Sequence, residues 1–194
     1  MPAELEQPAP GALNLPNLLS LLRIVLVPLV VVVLLTEARF DGQEYVALGL
    51  FVLAAATDFL DGYLARRHGQ VTRLGKLLDP AADKILTSSA LISLVALGVA
   101  PAWIVVVILA REFAVSALRS MAAADRLVLA AIATAKAKTA LQMVAISLLI
   151  LALRHPGLEP GARLALWAAM LASVVSGVEY FARHAPELLG RGRS

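Results

Sequence analysis

Four aspartates, Asp58, Asp61, Asp79 and Asp83, fall within residues 58–83 in two pairs, spaced by three and by four. On a helix, residues three or four apart share a face, so each pair projects together. Each pair sits beside or inside an apolar run, where a carboxylate is costly to desolvate. Two like-charged pairs on adjacent helices repel strongly in a low-dielectric site, and divalent cations remove that repulsion. An oxygen-only ligand set without His or Cys favours Mg²⁺ or Mn²⁺. Four carboxylates suit two such ions about 3.5–4 Å apart, an arrangement that serves phosphoryl chemistry.

The neighbours of the aspartates fit a phosphate-bearing substrate. Gly62 follows Asp58 by one turn, Ala65 follows Asp61 by one turn, and Gly75, Asp79 and Asp83 form an i, i+4, i+8 stripe. Small residues beside ligands let a bulky group approach the backbone. Arg66 adds a planar donor fork matched to phosphate oxygens. The competing structural reading makes the aspartates helix caps or partners of Arg66, Arg67 and Lys84, with Asp79 before Pro80 resembling a cap. A single aspartate fits that reading; four at this spacing with interleaved glycines favour a metal site.

A second constellation is cationic. Arg111, Val115 and Arg119 lie at i, i+4, i+8, and Lys136 and Lys138 come shortly after, followed by Thr139 and Gln142. Cations inside or bordering apolar segments need an anionic partner, which a phosphate on an acceptor molecule supplies. The alternative is anchoring by side chains that snorkel to a membrane surface, with Glu112 neutralising a neighbour.

The elements that must position these residues are apolar helices. The chain has 194 residues, 60% of them hydrophobic, and a mean hydropathy of +0.82, against about 45–50% apolar residues in soluble domains. Six apolar segments are legible, near 18–36, 45–61, 83–99, 102–118, 128–152 and 163–182. At 1.5 Å per residue, the first reaches roughly 28 Å, close to the ~30 Å hydrocarbon core of a bilayer. The fold class expected is therefore all-α, a polytopic membrane protein with six transmembrane helices. Pro16 suits a first helical turn, Pro28 a bend, and Gly98 with Pro101 a tight turn. Arg23 sits near enough to a span end to snorkel, or faces a polar site.

Residues 1–13, rich in Pro and Ala, read as a disordered tail, 14–183 as one membrane domain, and 184–194 as a basic tail. The N-terminal stretch lacks the basic region of a secretory signal. The chain has no cysteine and its three histidines are far apart, which excludes disulfides and disfavours zinc. The net charge of +3 forms no long soluble basic stripe, so nucleic acid is not an expected partner. Basic residues concentrate in the connections after the second and fourth segments, while the opposite side offers Arg39, Arg154 and Arg163. The positive-inside bias puts both termini and the aspartates on the cytoplasmic side.

The string Asp58-x2-Asp61-Gly62-x2-Ala65-Arg66-x8-Gly75-x3-Asp79-x3-Asp83 resembles the full signature of the CDP-alcohol phosphotransferases. The resemblance implies that a CDP-linked lipid loses CMP when an alcohol hydroxyl attacks its β-phosphorus. It implies metal binding by Asp58, Asp61, Asp79 and Asp83, with Asp83 also the catalytic base. Gly62, Ala65, Arg66 and Gly75 would border the cytidine diphosphate, with Thr72, Pro16 and Asn17 nearby. A carboxylate can serve as base if the proton leaves late, as P–O bond formation acidifies the hydroxyl.

The segments around Leu15–Arg23, Arg111-Glu112-Phe113, Leu118-Arg119 and Lys136-x-Lys138-Thr139-x2-Gln142 resemble the phosphatidylglycerophosphate synthase branch of that family, with Ala135 where the branch often has Gly. This implies CDP-diacylglycerol as donor and sn-glycerol 3-phosphate as acceptor. The acceptor phosphate would be held by Arg111, Arg119, Lys136 and Lys138. It also implies two divalent cations, Mg²⁺ or Mn²⁺, a homodimer, and a multi-pass location in the lipid bilayer of a prokaryotic cell (inner) membrane. Inositol-phosphate, serine and cardiolipin-type transferases are the alternatives within the family; a cation transporter is the alternative outside it.

Overall fold

The computed structural model describes residues 15–38, 40–68, 73–124 and 133–191, and at 15–17, 20, 58–68, 73–80, 124, 133 and 185–191 the backbone course alone. The described residues form six α-helices: α1 (Leu15–Leu35), α2 (Gln43–His68), α3 (Arg73–Ala96), α4 (Ala102–Ala124), α5 (Ala133–Ala152) and α6 (Glu159–Arg191). A short 3₁₀ turn (Pro156–Leu158) precedes α6, and no strand occurs among the described residues. The all-α class expected from the sequence is the class found. Residues 1–14 and Thr72 lie outside the described residues, as do 192–194.

Turn chemistry closes the helices where the sequence signals it. Gly98 adopts φ +74°, a left-handed conformation that costs glycine little. The Val99 amide donates to the Leu94 carbonyl at 3.1 Å and the Gly98 amide to that of Val95 at 2.9 Å, the paired bonds of a Schellman motif ending α3. Pro101 then starts α4, its carbonyl accepting from Ile104 and Val105. Gly42, at φ +79°, makes the corresponding turn into α2.

Three helix bounds differ from the sequence reading. Helix α3 begins at Arg73, so Asp79 lies in its second turn and does not cap its start. Pro80 is accommodated within this helix, although it brings no amide for the Lys76 carbonyl. Helix α6 begins at Glu159, with Pro160 in its first turn, and runs on through residues 184–191 of the stretch expected as a tail.

Helix α1 packs on α2 and α3; α2 also meets α5, α3 meets α4 and α5, and α6 lies against α4 and α5. A single large core runs through the bundle, built from residues such as Val30, Phe51, Leu91, Ile108, Ile146 and Leu166. Each helix also turns large apolar side chains outward, for example Val32, Leu53, Ile92, Val106, Val144 and Val175. Burial inside the bundle therefore accounts for only part of the chain's apolar surface.

Among the described residues, two segments are long and apolar enough to cross a membrane, 134–152 and 156–184, with shorter apolar stretches at 21–35 and 43–57. Of the six spans expected, these two are found among the described residues, and charges interrupt α3 and α4. Arg111, Glu112 and Arg119 fall within α4, and Arg73, Lys76, Asp79, Asp83 and Lys84 within the first half of α3.

The end of the bundle where α1 gives way to α2 is held by a polar clasp. Arg154 Nη2 meets Asp41 Oδ1 at 2.7 Å and its guanidinium lies 5.5 Å from the centre of the Tyr45 ring, while the Tyr45 hydroxyl and His155 Nε2 are 2.6 Å apart. The hydrogen bond that Arg154 donates to Asp41, reinforced by the charge of that carboxylate, raises the pKa of Arg154 above the ordinary guanidinium value.

Candidate functional site

At the other end, a cavity of about 290 Å³ opens between α3, α4, α5 and α6. Early α3 supplies Asp83 and Lys84, late α4 supplies Arg111, Glu112, Ser116 and Arg119, early α5 supplies Lys138 and Thr139, and late α6 supplies Tyr180. Alternating chain direction is what brings these positions together. Among the described residues, four cations face two carboxylates, a formal excess of two positive charges. A phosphate monoester, at about −1.5 to −2 near neutral pH, matches that excess.

Glu112 organises the cations. Its Oε1 accepts from Arg111 Nη1 at 3.0 Å and from Lys138 Nζ, all three side chains being largely buried. Arg111 Nη2 donates to Ser176 Oγ at 2.6 Å, which fixes the guanidinium between α4 and α6. Gly177 makes room for it: a Cβ there would lie 2.8 Å from Arg111 Cγ and 3.4 Å from Nε. Arg111 also borders an apolar groove lined by Val107, Ala114, Val174, Val178 and Phe181, so it separates a polar chamber from an apolar one. Near the cavity, Thr134 Oγ1 donates to Glu179 Oε2 at 2.7 Å, and Arg183 pairs with Glu179 Oε1 at 2.6 Å, tying α5 to α6.

Of the four cations expected to bind an acceptor phosphate, Arg111, Arg119 and Lys138 line the cavity; Lys136 is exposed and does not. Two residues along a helix turn the side chain through roughly 200°, so the two lysines cannot share a face. Lys84 and Tyr180 join the site without a spacing motif in the sequence to mark them. Ser176-Gly177 carried a legible signal, since small residues interrupting an apolar helix permit close helix approach.

Asp83 is the one member of the aspartate set whose side chain is described, and it borders the cavity. For Asp58, Asp61 and Asp79 the backbone is informative. Unbroken helix through 43–68 and 73–96 puts Asp58 and Asp61 on one face of α2, and Asp79 and Asp83 on one face of α3. The two helices are in contact. This all-oxygen donor set fits hard divalent cations, although no group of three or more ligating side chains occurs among the described residues. The side chains of Pro16, Asn17, Gly62, Ala65, Arg66 and Gly75, expected at the nucleotide, lie outside the described residues; their backbones fall in α1, α2 and α3.

Beneath the aspartates sits a residue that the sequence left between two roles. Arg23 is fully buried, so it does not snorkel. Its Nε donates to the Ala54 carbonyl at 3.1 Å, with Thr57 Oγ1 at 3.4 Å, and Thr57 Oγ1 itself donates to the same carbonyl at 2.7 Å. Positions 54, 57, 58 and 61 follow the i, i+3, i+4, i+7 pattern of one helix face. Arg23 therefore docks α1 against the face of α2 that carries Asp58 and Asp61.

Comparison with known proteins identifies the family of the chain. Residues 13–178 match the model of the CDP-alcohol phosphatidyltransferase family. The chain is 45% identical to the CDP-diacylglycerol–glycerol-3-phosphate 3-phosphatidyltransferase of Bacillus subtilis strain 168, over 88% of this chain and 95% of the relative. It is 43% identical to a probable phosphatidylglycerophosphate synthase of Mycobacterium tuberculosis, over 88% of this chain and 81% of that one. A CDP-diacylglycerol–glycerol-3-phosphate 3-phosphatidyltransferase of Rickettsia typhi is 39% identical over 87% of this chain and 95% of its own.

Proposed function

Because this chain belongs to the CDP-alcohol phosphatidyltransferase family, we propose that it transfers the phosphatidyl group of CDP-diacylglycerol to sn-glycerol 3-phosphate, forming phosphatidylglycerophosphate and CMP. The observation that carries this reading is the shared cavity: Asp83 opens onto the same chamber as Arg111, Arg119 and Lys138. A base and an anion-binding cluster in one chamber suit an acceptor with a hydroxyl at one end and a phosphate at the other. The names of the relatives support the same donor and acceptor.

In the reaction, the acceptor phosphate takes hydrogen bonds from Arg111, Arg119 and Lys138, which aims its free hydroxyl toward Asp83. The hydroxyl oxygen forms a bond to the β-phosphorus, the bond from that phosphorus to the bridging oxygen of the diphosphate breaks, and CMP leaves. Asp83 accepts the hydroxyl proton late, once the forming P–O bond has acidified it. Asp58, Asp61, Asp79 and Asp83 would hold two divalent cations, Mg²⁺ or Mn²⁺. When bound, these supply charge neutralisation for the diphosphate and the departing CMP. As the family resemblance implies, Arg66, with Gly62, Ala65 and Gly75, would border the cytidine diphosphate, and Pro16, Asn17 and Thr72 would contribute to its binding.

The outward apolar side chains on all six helices favour a lipid environment for the whole bundle. In this reading all six helices cross the bilayer of the cell (inner) membrane, with Asp83, Lys84, Arg111, Glu112 and Arg119 lining the cavity. The concentration of Lys and Arg at the cavity end orients that end to the cytoplasm, where the water-soluble acceptor is available. The homodimer implied by the family resemblance completes the proposal.

The test is an assay of purified enzyme with labelled CDP-diacylglycerol and parallel acceptors: glycerol 3-phosphate, inositol phosphate, serine and phosphatidylglycerol. CMP release with a labelled phosphatidylglycerophosphate product is expected from glycerol 3-phosphate. Turnover with another acceptor alone would overturn the assignment of substrate, and cation uptake without any CMP release would overturn the enzyme reading.

A further inference from the structure

The cavity contains a charged oxygen for which phosphate binding and proton transfer have no use. Glu112 Oε1 is taken up by Arg111 and Lys138, whereas Oε2 accepts no hydrogen bond from any described residue, and the side chain retains 16% exposure where it lines the chamber. In a site for phosphate alone a carboxylate is counterproductive, because it removes positive charge and repels the incoming anion. We propose that Glu112 is a specificity-determining residue whose Oε2 accepts a hydrogen bond from the second hydroxyl of the acceptor, an inference that rests on the phosphatidyl-transfer reading above.

The inventory of donors and acceptors in the cavity leads to this assignment. Lys84, Arg111, Arg119 and Lys138 are donors only. Ser116 Oγ donates to the Glu112 carbonyl at 2.6 Å and Thr139 Oγ1 to the Ala135 carbonyl at 3.1 Å, which leaves both, with the Tyr180 hydroxyl, as neutral acceptors that bind a hydroxyl proton less strongly than a carboxylate does. Glycerol 3-phosphate brings a phosphate, which accepts from the cations, and two hydroxyls, each of which needs an acceptor for its proton. Asp83 takes that of the reacting hydroxyl. Among the described residues that line the cavity, Glu112 is the other carboxylate. It is held in place by two cations before the substrate arrives, so binding the middle hydroxyl requires little further ordering.

Such a site discriminates by what the wrong acceptor leaves unmade. A hydrogen bond to a charged group corresponds to roughly 10- to 100-fold in kcat/KM. The informative competitor is 3-hydroxypropyl phosphate, which keeps the phosphate and the reacting hydroxyl and lacks only the middle one.

The experiment measures kcat/KM by CMP release for both acceptors with the full-length enzyme in lipid or detergent. The wild type is expected to prefer glycerol 3-phosphate by about 10- to 100-fold. In Glu112→Gln the preference collapses to within a few-fold, the loss falling mainly on glycerol 3-phosphate. Glu112→Asp, which keeps the charge and withdraws the oxygen from the chamber, lowers the ratio as well and decides the matter if the Gln variant does not fold. A merely structural Glu112 would depress both acceptors by one factor and leave the ratio intact, which overturns the inference while the reaction stands. A wild type indifferent to the middle hydroxyl overturns it without any variant. A wild type that turns over neither compound, but does turn over another acceptor, overturns the reaction and the inference together.

Discussion

At the end of the bundle where α1 turns into α2, Arg154 meets Asp41 at 2.7 Å with both side chains open to their surroundings. At the other end, Arg111, Glu112 and Lys138 make contacts of the same chemical kind with most of their surface removed from water. Exposed ion pairs gain little, because water and salt screen them and two long side chains must be held still. Buried ones carry a desolvation cost that hydrophobic replacements would avoid. A chain that retains buried charge at one end and exposed charge at the other is thus using one residue chemistry for two purposes: a tie between loops, and a preorganised binding chamber. The comparison makes a graded set of predictions, in which the effect of removing a charge depends on the end where it sits.

The largest effect belongs to Asp83. Asp83→Asn keeps the side-chain volume and removes the proton acceptor, so kcat should fall by roughly 100- to 10,000-fold. CDP-diacylglycerol binding, followed by equilibrium titration of the purified variant, should survive in part. Near-normal turnover would dissociate Asp83 from proton transfer. Next is Arg23, which is buried beneath the aspartate face of α2. Arg23→Leu fills most of the volume and removes a charge-assisted hydrogen bond, a loss of about 1.5–3 kcal/mol. The expected outcome is a lower melting temperature in detergent together with a higher Mn²⁺ concentration for half-maximal binding. A variant with unchanged metal binding would restrict Arg23 to helix packing.

These two residues mark how far the sequence could be read. The aspartates were legible because helical spacing converts sequence into a shared face, and six apolar segments foretold six helices. Arg23 was not legible, because one position in an apolar run does not reveal whether its side chain turns along the helix to a surface or across it to a neighbour. Only α2, packed alongside, decides. Lys136 and Lys138 show the same limit at shorter range: two lysines two residues apart looked like a pair, yet helix geometry sends them to opposite sides. Lys84 and Tyr180 reach the cavity through tertiary packing of α3 and α6, and no local pattern encodes that packing. The competing reading of Asp79 as a cap rested on Pro80, which signals a helix start, whereas α3 begins at Arg73 and absorbs the proline.

A smaller effect is expected at Gly177, which contributes no functional group and acts through the space it leaves. Gly177→Ala puts a methyl 2.8 Å from Arg111 Cγ, near the base of that side chain, where rotation of the guanidinium alone cannot relieve the clash. Arg111 must move, and its 2.6 Å bond to Ser176 moves with it. Loss of one well-placed charged donor should raise the KM for glycerol 3-phosphate about 10-fold, with that for CDP-diacylglycerol unchanged in the same steady-state assay. A parallel rise in both would place Arg111 outside the acceptor subsite.

The smallest effect is expected at the outer clasp, and it is the one that most directly tests the contrast between the ends. Arg154→Ala removes the close contact to Asp41 and the contact to the Tyr45 ring, with a longer 3.9 Å approach to Glu44. The Tyr45–His155 hydrogen bond and the Gln43 Nε2 bond to the Val33 carbonyl at 2.5 Å remain to hold the same junction. Because the lost pair is open to solvent, high salt should already weaken it in the wild type. Melting curves of variant and wild type should therefore nearly coincide, and more closely still in high salt, while kcat and both KM values stay within error. A marked loss of turnover in Arg154→Ala would mean that the outer end communicates with the cavity through the helices between them, and the separation of the molecule into a tie and a chamber would fail.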